Sequence, residues 1–315
     1  MRELEALDLS GALITDEGLE QISVLSTKLS KLSFNLCGGI TSTRSRAFHC
    51  RLMLSLHSAC SVLSSGKGVN SLVSRMPGLR HLSFLGCHIH GDAVPFNKGN
   101  NLESLDLGKC KKISSFSISS KFCVLRELNL ASISALTTVV LAVPTLQSLN
   151  LSQCTHLARV SLLAPALQNL NISNCIALAE LKLENAAADT KLEQINMFGC
   201  RSLSIGSFNR MVRGCLPTIE HVTCSGMIQL VDESVQLLLC DEAILLKSVW
   251  LDGCKHLQAA TLNAVRVRLA HLTDQRVAES RERVKKEKSE GKDGHVPVRR
   301  GLPVLDLPVI ESLEL

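Results

Sequence analysis

The chain has 315 residues, 45% apolar but only 3% aromatic, and a formal net charge of +5; its apolar excess is aliphatic, which excludes a disordered chain and predicts a core filled by leucine rather than by aromatic rings. Eight Lys/Arg against five Asp/Glu between Glu279 and Arg300 hold a surplus of three, so the body is close to neutral and lacks the basic stripe of a nucleic-acid binder. No apolar run is long enough to cross a bilayer, the N-terminus does not read as a secretory leader, and thirteen cysteines, an odd number in a long chain, predict reduced thiols. The expectation is a cytoplasmic or nuclear protein with neither nucleic acid nor membrane as partner.

In chain order one phrase recurs: an apolar residue, two variable, apolar, one variable, apolar, two variable, then most often cysteine. Its clearest copies are Leu102, Leu105, Leu107, Cys110; Leu146, Leu149, Leu151, Cys154; and Leu167, Leu170, Ile172, Cys175. Further copies start at Leu4, Leu29, Leu79, Leu125, Leu192, Ile219 and Leu246, most of them 21 to 27 residues apart. This is leucine-rich repeat spacing. The apolar-x-apolar centre of each copy is a short strand with both aliphatic side chains on one face. Stacked copies form a parallel sheet with about 4.8 Å between neighbours. Burying each aliphatic contributes roughly 1.5–3 kcal/mol, and only neighbouring coils can supply that burial. The predicted fold class is therefore α/β, a leucine-rich repeat solenoid of about eleven coils, with a curved parallel sheet on the concave side and mixed helices and extended segments on the convex side.

The return legs vary along the chain. In the first coil Thr15 or Asp16 is placed to cap a helix carrying Leu19, Ile22 and Leu25, and Asp232 followed by Val235, Leu238 and Leu239 repeats this arrangement. Between Leu125 and Leu192 the coils shorten and a second strand-like copy occupies the return: Leu136, Val139, Leu141; Leu157, Val160, Leu162; Leu178, Leu181, Leu183. These coils are predicted to be extended on both sides. Residues 43–67 carry no clear copy and read as a degenerate coil or an insertion. After Cys254 a helix is predicted through Ala264, Val267 and Leu269, so that the solenoid proper covers residues 1–275. Residues 276–300 form a charge run read as a frayed helix or disordered loop, and residues 301–315 return to the pattern as a terminal repeat.

Cys37, Cys87, Cys110, Cys154, Cys175, Cys200 and Cys254 fall at one repeat position, where a small thiol packs as a hydrophobe and acts as a weak donor after the strand. No C-x-x-C occurs, and no metal or other cofactor is expected. Gly66-Lys67-Gly68 lacks the upstream glycine and following Ser/Thr of a phosphate loop. Cys87, His88 and His90 belong to a turn after a strand. Asn150-Leu-Ser152 and Asn171-Ile-Ser173 are formal glycosylation sequences produced by the repeat. Cys50, Cys60 and Cys240 stand outside the main cysteine column, but no catalytic constellation assembles around them. The chain is not expected to be an enzyme.

The variable positions between paired aliphatics line the concave face as a column: Asp8, Ser33, Ser83, Asp106, Asn129, Asn150, Asn171, Asn196, Thr223, Trp250. The run of four Asn predicts a hydrogen-bonded ladder between strands or, alternatively, a receiver for a partner's backbone. Trp250, the one tryptophan, points outward, with Phe198 similarly placed after an earlier strand. Exposed aromatics of this kind anchor interfaces; the competing expectation is that the segment after Cys254 folds over them. Glu193, Glu220 and His221 are the candidate polar rim.

These repeats resemble the cysteine-containing leucine-rich repeats of F-box proteins, the substrate receptors of Skp1–cullin–F-box ubiquitin ligases. The resemblance is carried by Leu4, Leu7, Leu9, Ile14, Thr15, Asp16, Gly18 and Leu19, and by Cys215, Pro217, Ile219 and Val222; it covers most of residues 1–254 plus the last coil. It implies a protein-interaction scaffold that recognises substrates for ubiquitin-dependent degradation, with a protein partner on the concave face. Only three residues precede Leu4, which leaves no room for an F-box, so Skp1 and cullin are expected as partners only of a longer chain that carries one. The array begins and ends inside the repeat pattern, as a fragment would. The alternative is a ubiquitin-independent scaffold of immune or cytoskeletal type.

Overall fold

The computed structural model describes residues 4–15, 18, 21, 29–33, 55–57, 78–87, 89, 101–119, 124–184 and 190–289. Among them, eleven three-residue strands stack in sequence order into one parallel sheet: β1 (Ala6–Asp8), β2 (Lys31–Ser33), β3 (Ser55–His57), β4 (His81–Ser83), β5 (Ser104–Asp106), β7 (Glu127–Asn129), β9 (Ser148–Asn150), β11 (Asn169–Asn171), β13 (Gln194–Asn196), β14 (His221–Thr223) and β15 (Ser248–Trp250). The chain is an α/β repeat solenoid. Its register follows the repeat: the middle residues Leu105, Leu128, Leu149, Leu170, Ile195 and Val222 pair in succession. All six are at most 3% exposed. Each coil thus covers its neighbour's aliphatics, the burial that one coil alone cannot provide.

Strand β3 lies within the segment that carries no clear copy of the phrase, and it pairs with β2 and β4. Its phrase in sequence is Met53, Leu56, Ser58, Ser61, with Ser at both the third aliphatic and the cysteine position. Only one leucine of the pattern survives there, which hides the coil from a pattern search. The remainder of 43–67 lies outside the described residues, as do residues 290–315 with the predicted terminal repeat.

A second, four-stranded parallel sheet forms on the return side in the order β12 (Glu180–Leu183), β10 (Arg159–Leu163), β8 (Thr138–Ala142), β6 (Ser115–Ser119). Three of these are the predicted extended returns. The fourth, β6, carries Ile113, Phe116 and Ile118 at the same spacing in the coil that begins at Leu102, all buried. Coils that start 27 residues apart instead return through helices: α1 (Ile205–Cys215), and α2 (Asp232–Gln236) with a 3-10 turn (Leu237–Leu239). The physical reason is rise: about 1.5 Å per residue in a helix against about 3.3 Å in a strand means that a helix needs more residues to span the same return. Helix α1 starts at Ser204, whose hydroxyl accepts from the Ser207 N–H at 3.3 Å, and packs against edge strand β12, protecting it from further pairing.

Leucine dominates the core, yet Phe84, Phe116 and Phe208 are also wholly buried, so aromatic rings are not absent from it as composition suggests. The first-coil cap is partly visible: the Thr15 hydroxyl accepts from the Gly18 N–H at 3.4 Å, and the rest of that helix lies outside the described residues. Asp232 does not cap its own helix, whose N-cap is Val231. Its carboxylate instead accepts from the Gln258 N–H at 3.0 Å and from the Thr261 hydroxyl, tying the preceding coil to the start of α3 (Ala259–Ser289). Helix α3 is continuous through the first part of the charge run. It buries Thr261, Val265 and Leu272, and of the residues that mark the predicted helix Val267 is 62% exposed. Arg268 donates to the Cys240 carbonyl and Arg276 to those of Ile244 and Leu246, which docks the helix on the last coil.

The cysteine column makes one repeated contact. The thiols of Cys110, Cys154, Cys175, Cys200 and Cys254 donate to the carbonyls of Phe84, Leu130, Leu151, Ile172 and Cys224 in the preceding coil, at 3.0–3.2 Å. Burial pushes Cys154 up to about 11 and Cys110 and Cys200 to about 12, from an ordinary 9.0. The folded chain therefore binds more protons than the unfolded chain between about pH 9 and 12, and stability falls as pH rises through that window and not below it. Chemical denaturation at pH 8, 9.5 and 10.5 is expected to give successively lower unfolding free energies. Thiol labelling at pH 8 should leave these positions unmodified until denaturant is added.

Candidate functional site

The third residue of each short strand forms one column across the main sheet, and the register pairs these residues in succession from Asp8 to Trp250, with His57 filling the degenerate coil. The local reason for the column's chemistry is the turn that follows. The side-chain oxygens of Asp8, Asp106, Asn129, Asn150, Asn171 and Asn196 each accept from the backbone N–H two residues on, at 2.9–3.1 Å. This Asx turn reverses the chain directly after the strand and explains why Asn or Asp recurs there.

That bond corrects the expected Asn ladder. Only Asn129 reaches across coils, its Nδ2 donating to Asp106 Oδ1 at 2.8 Å, and Asp106 in turn accepts from the Ser83 hydroxyl at 3.3 Å. In Asn150, Asn171 and Asn196 the oxygen is used by the turn, and among the described residues the amide nitrogen has no partner within the chain. These three half-buried residues line a groove of about 400 Å3 together with Asn169, Gln194 and His221. None of the six carries a fixed charge.

The Asx turns from Asp106 onward are each followed by a residue in the left-handed region, at Lys109, Ser132, Gln153, Asn174 and Gly199, and the same position after Thr223 and Trp250 is taken by Gly226 and Gly253. The change from side chains to glycine opens a second cleft of about 520 Å3, walled by Phe198 and Trp250 and floored by Gly226 and Gly253. Phe198 is 47% exposed and Trp250 half-buried. Helix α3 does not cover them, because it packs against α2 and the 3-10 turn on the opposite side of the coil. Sequence reading missed the glycine floor, although its signal, Gly at 27-residue spacing three positions after the column residue, is present in the chain.

A Cβ at Gly199 would lie 2.7 Å from Asn174 Oδ1 at a φ of +69°. Gly199→Ala is therefore expected to lower stability by about 2 kcal/mol. The reverse change at Lys109, φ 61°, relieves strain but loosens the unfolded chain, so Lys109→Gly should gain less than about 1 kcal/mol. Thermal or urea denaturation of both variants checks the asymmetry.

Of the three candidate rim residues, His221 lines the groove. Glu220 pairs with Lys247 at 2.7 Å, His221 Nδ1 lies 2.7 Å from the Ser248 hydroxyl, and Glu193 is half-buried on the neighbouring coil. Cys240 is partly exposed beside α3, away from both cavities. His88, His90, Gly66-Lys67-Gly68, Cys50 and Cys60 lie outside the described residues. Among the described residues no helix is long and apolar enough to cross a membrane.

No family model matches the chain, and no curated protein matches it. Among solved structures it is similar to the crystal structure of the Rad7 and Elc1 complex in yeast, at 17% identity and a TM-score of 0.37, over 82% of this chain and 78% of that one. At that score the likeness assigns neither a function nor a partner.

Proposed function

We propose that this chain is a non-catalytic protein-interaction scaffold that receives an extended segment of a partner along the concave face, anchored in the cleft between Phe198 and Trp250. The observation that carries the reading is that cleft: two aromatic side chains lining it with Gly226 and Gly253 and the small polar side chains of Thr223, Ser225 and Asp252, at the end of a groove with unspent amide donors. Buried aromatic anchors supply most of the affinity of such interfaces, and the surrounding polar residues exclude water. Asn150, Asn171 and Asn196 line the face that meets the partner's backbone, Glu193, Glu220 and His221 form the rim, and Asn129 supports the face through Asp106.

The finer role, substrate recognition for a Skp1–cullin–F-box ubiquitin ligase in the cytoplasm or nucleus, is supported by the sequence resemblance alone. The test is affinity purification of the endogenous protein from its source cells, with mass spectrometry of the partners. Skp1 and a cullin together with a partner lost on Phe198→Ala/Trp250→Ala support the ubiquitin role. A partner lost on that variant without Skp1 or cullin assigns a ubiquitin-independent scaffold. A partner retained by the variant contradicts the proposed surface.

A further inference from the structure

The groove's chemistry constrains what lies in it. Along the column from Asn150 to Asn196 each side-chain oxygen is already engaged by its own Asx turn while the amide N–H groups are unspent within the chain, so this line presents chiefly donors. A complementary ligand offers acceptors along one line, carries little charge and brings an apolar group to the aromatic cleft.

Spacing decides among polypeptide conformations. Neighbouring coils lie about 4.8 Å apart, so Asn150 on β9 and Asn196 on β13, two steps apart in the sheet, are about 9.6 Å apart, and Trp250 on β15 lies two further steps on. An extended strand repeats its carbonyls on one side every 6.6–6.8 Å or so, out of step with that interval. An α-helix has already spent its carbonyls internally. A polyproline II helix has three residues per turn at about 3.1 Å each, a repeat of about 9.3 Å, and leaves its carbonyls free. Proline also lacks an N–H, which makes its backbone acceptor-only, and its ring packs on aromatic side chains.

We propose that the groove and cleft bind a proline-rich segment in the polyproline II conformation, its carbonyls at positions n and n+3 accepting from Asn150 and Asn196 and a proline ring near n+5 seated between Phe198 and Trp250. This rests on the reading of the concave face as a polypeptide-binding surface. Asn171, one coil from each and half a repeat out of phase, meets the other side of such a helix and contributes little.

The test titrates a blocked ten-proline peptide into the full chain and follows the emission of Trp250, the one tryptophan present. A saturable shift is expected, with binding weakened at least tenfold in Asn150→Asp and Asn196→Asp, which keep the turn acceptor and remove the donor as Asp106 does natively. Asn171→Asp, the same change at the intervening coil, should alter binding less than threefold. No shift, or equal losses at all three positions, overturns the proposal. Equal binding of a Gly-Ser peptide of the same length overturns the polyproline assignment and leaves the polypeptide reading standing. A shift produced by a cello-oligosaccharide and by neither peptide overturns both.

Discussion

Replacing Phe198 and Trp250 together by alanine is expected to weaken partner binding at least a hundredfold while leaving the melting temperature within a few degrees of the parent. Each ring is a wall of the open cleft rather than part of the core, where Leu170 and Ile195 are 2% and 3% exposed. Aromatic anchors in desolvated interface pockets cost about 2 kcal/mol or more each on truncation, and two such losses exceed a factor of one hundred. Removing solvent-facing rings exposes no cavity in the fold and takes away no backbone hydrogen bond. Calorimetric titration of the captured partner, with thermal denaturation of the same samples, separates the two effects. A double variant that binds normally places the interface elsewhere, and one that fails to fold means the rings hold the last coils together.

The opposite profile is expected of Leu170→Ala. Leu170 is the middle residue of β11, paired with Leu149 on one side and Ile195 on the other. Truncating it removes several methylenes from a site that two neighbouring coils enclose, with a cost of about 2–5 kcal/mol. In a solenoid each coil depends on its neighbours, so a weak central coil separates the two halves energetically. Denaturation of this variant should show a lower midpoint and a broadened or two-step transition, whereas the parent unfolds more steeply. A change below about 1 kcal/mol would mean that the coils do not share a continuous core.

The contrast follows from how much of the molecule the sequence displays. Aliphatic spacing is a direct record of burial, so the coils at Leu4 and Leu29, those from Leu79 to Leu246 and three of the four return strands were legible in it. Two elements were hidden for local reasons: β3 retains one leucine of its phrase, and β6 alternates Phe116 and Ile118 with serines in a coil two residues longer than the next two. The inward face of α3 was not legible because a long polar helix offers several weak apolar stripes, and the docking of Arg268 and Arg276 on backbone carbonyls selects the one that faces inward.

At the candidate site, the column with Trp250 in it could be placed from strand alternation, and Phe198 from its position two residues past Asn196. The destination of each amide could not, because Asn129 and Asn150 have the same position in the repeat and differ only in their neighbour. Asp106 Oδ1, a charged acceptor, takes up both its own turn N–H and the Asn129 amide, whereas the neutral Asn129 oxygen accepts only from its own turn. The glycine floor was missed because reading for side chains passes over positions whose contribution is the absence of one.

The most direct measurement is hydroxyl-radical footprinting of the chain alone and bound to the partner recovered from its source cells. The account predicts protection of Phe198 and Trp250 on binding, with no change at Val140 and Leu163, which are 52% and 42% exposed on the return-side sheet. Protection of Val140 and Leu163 with Phe198 and Trp250 unchanged would contradict it and move the binding surface to the convex side.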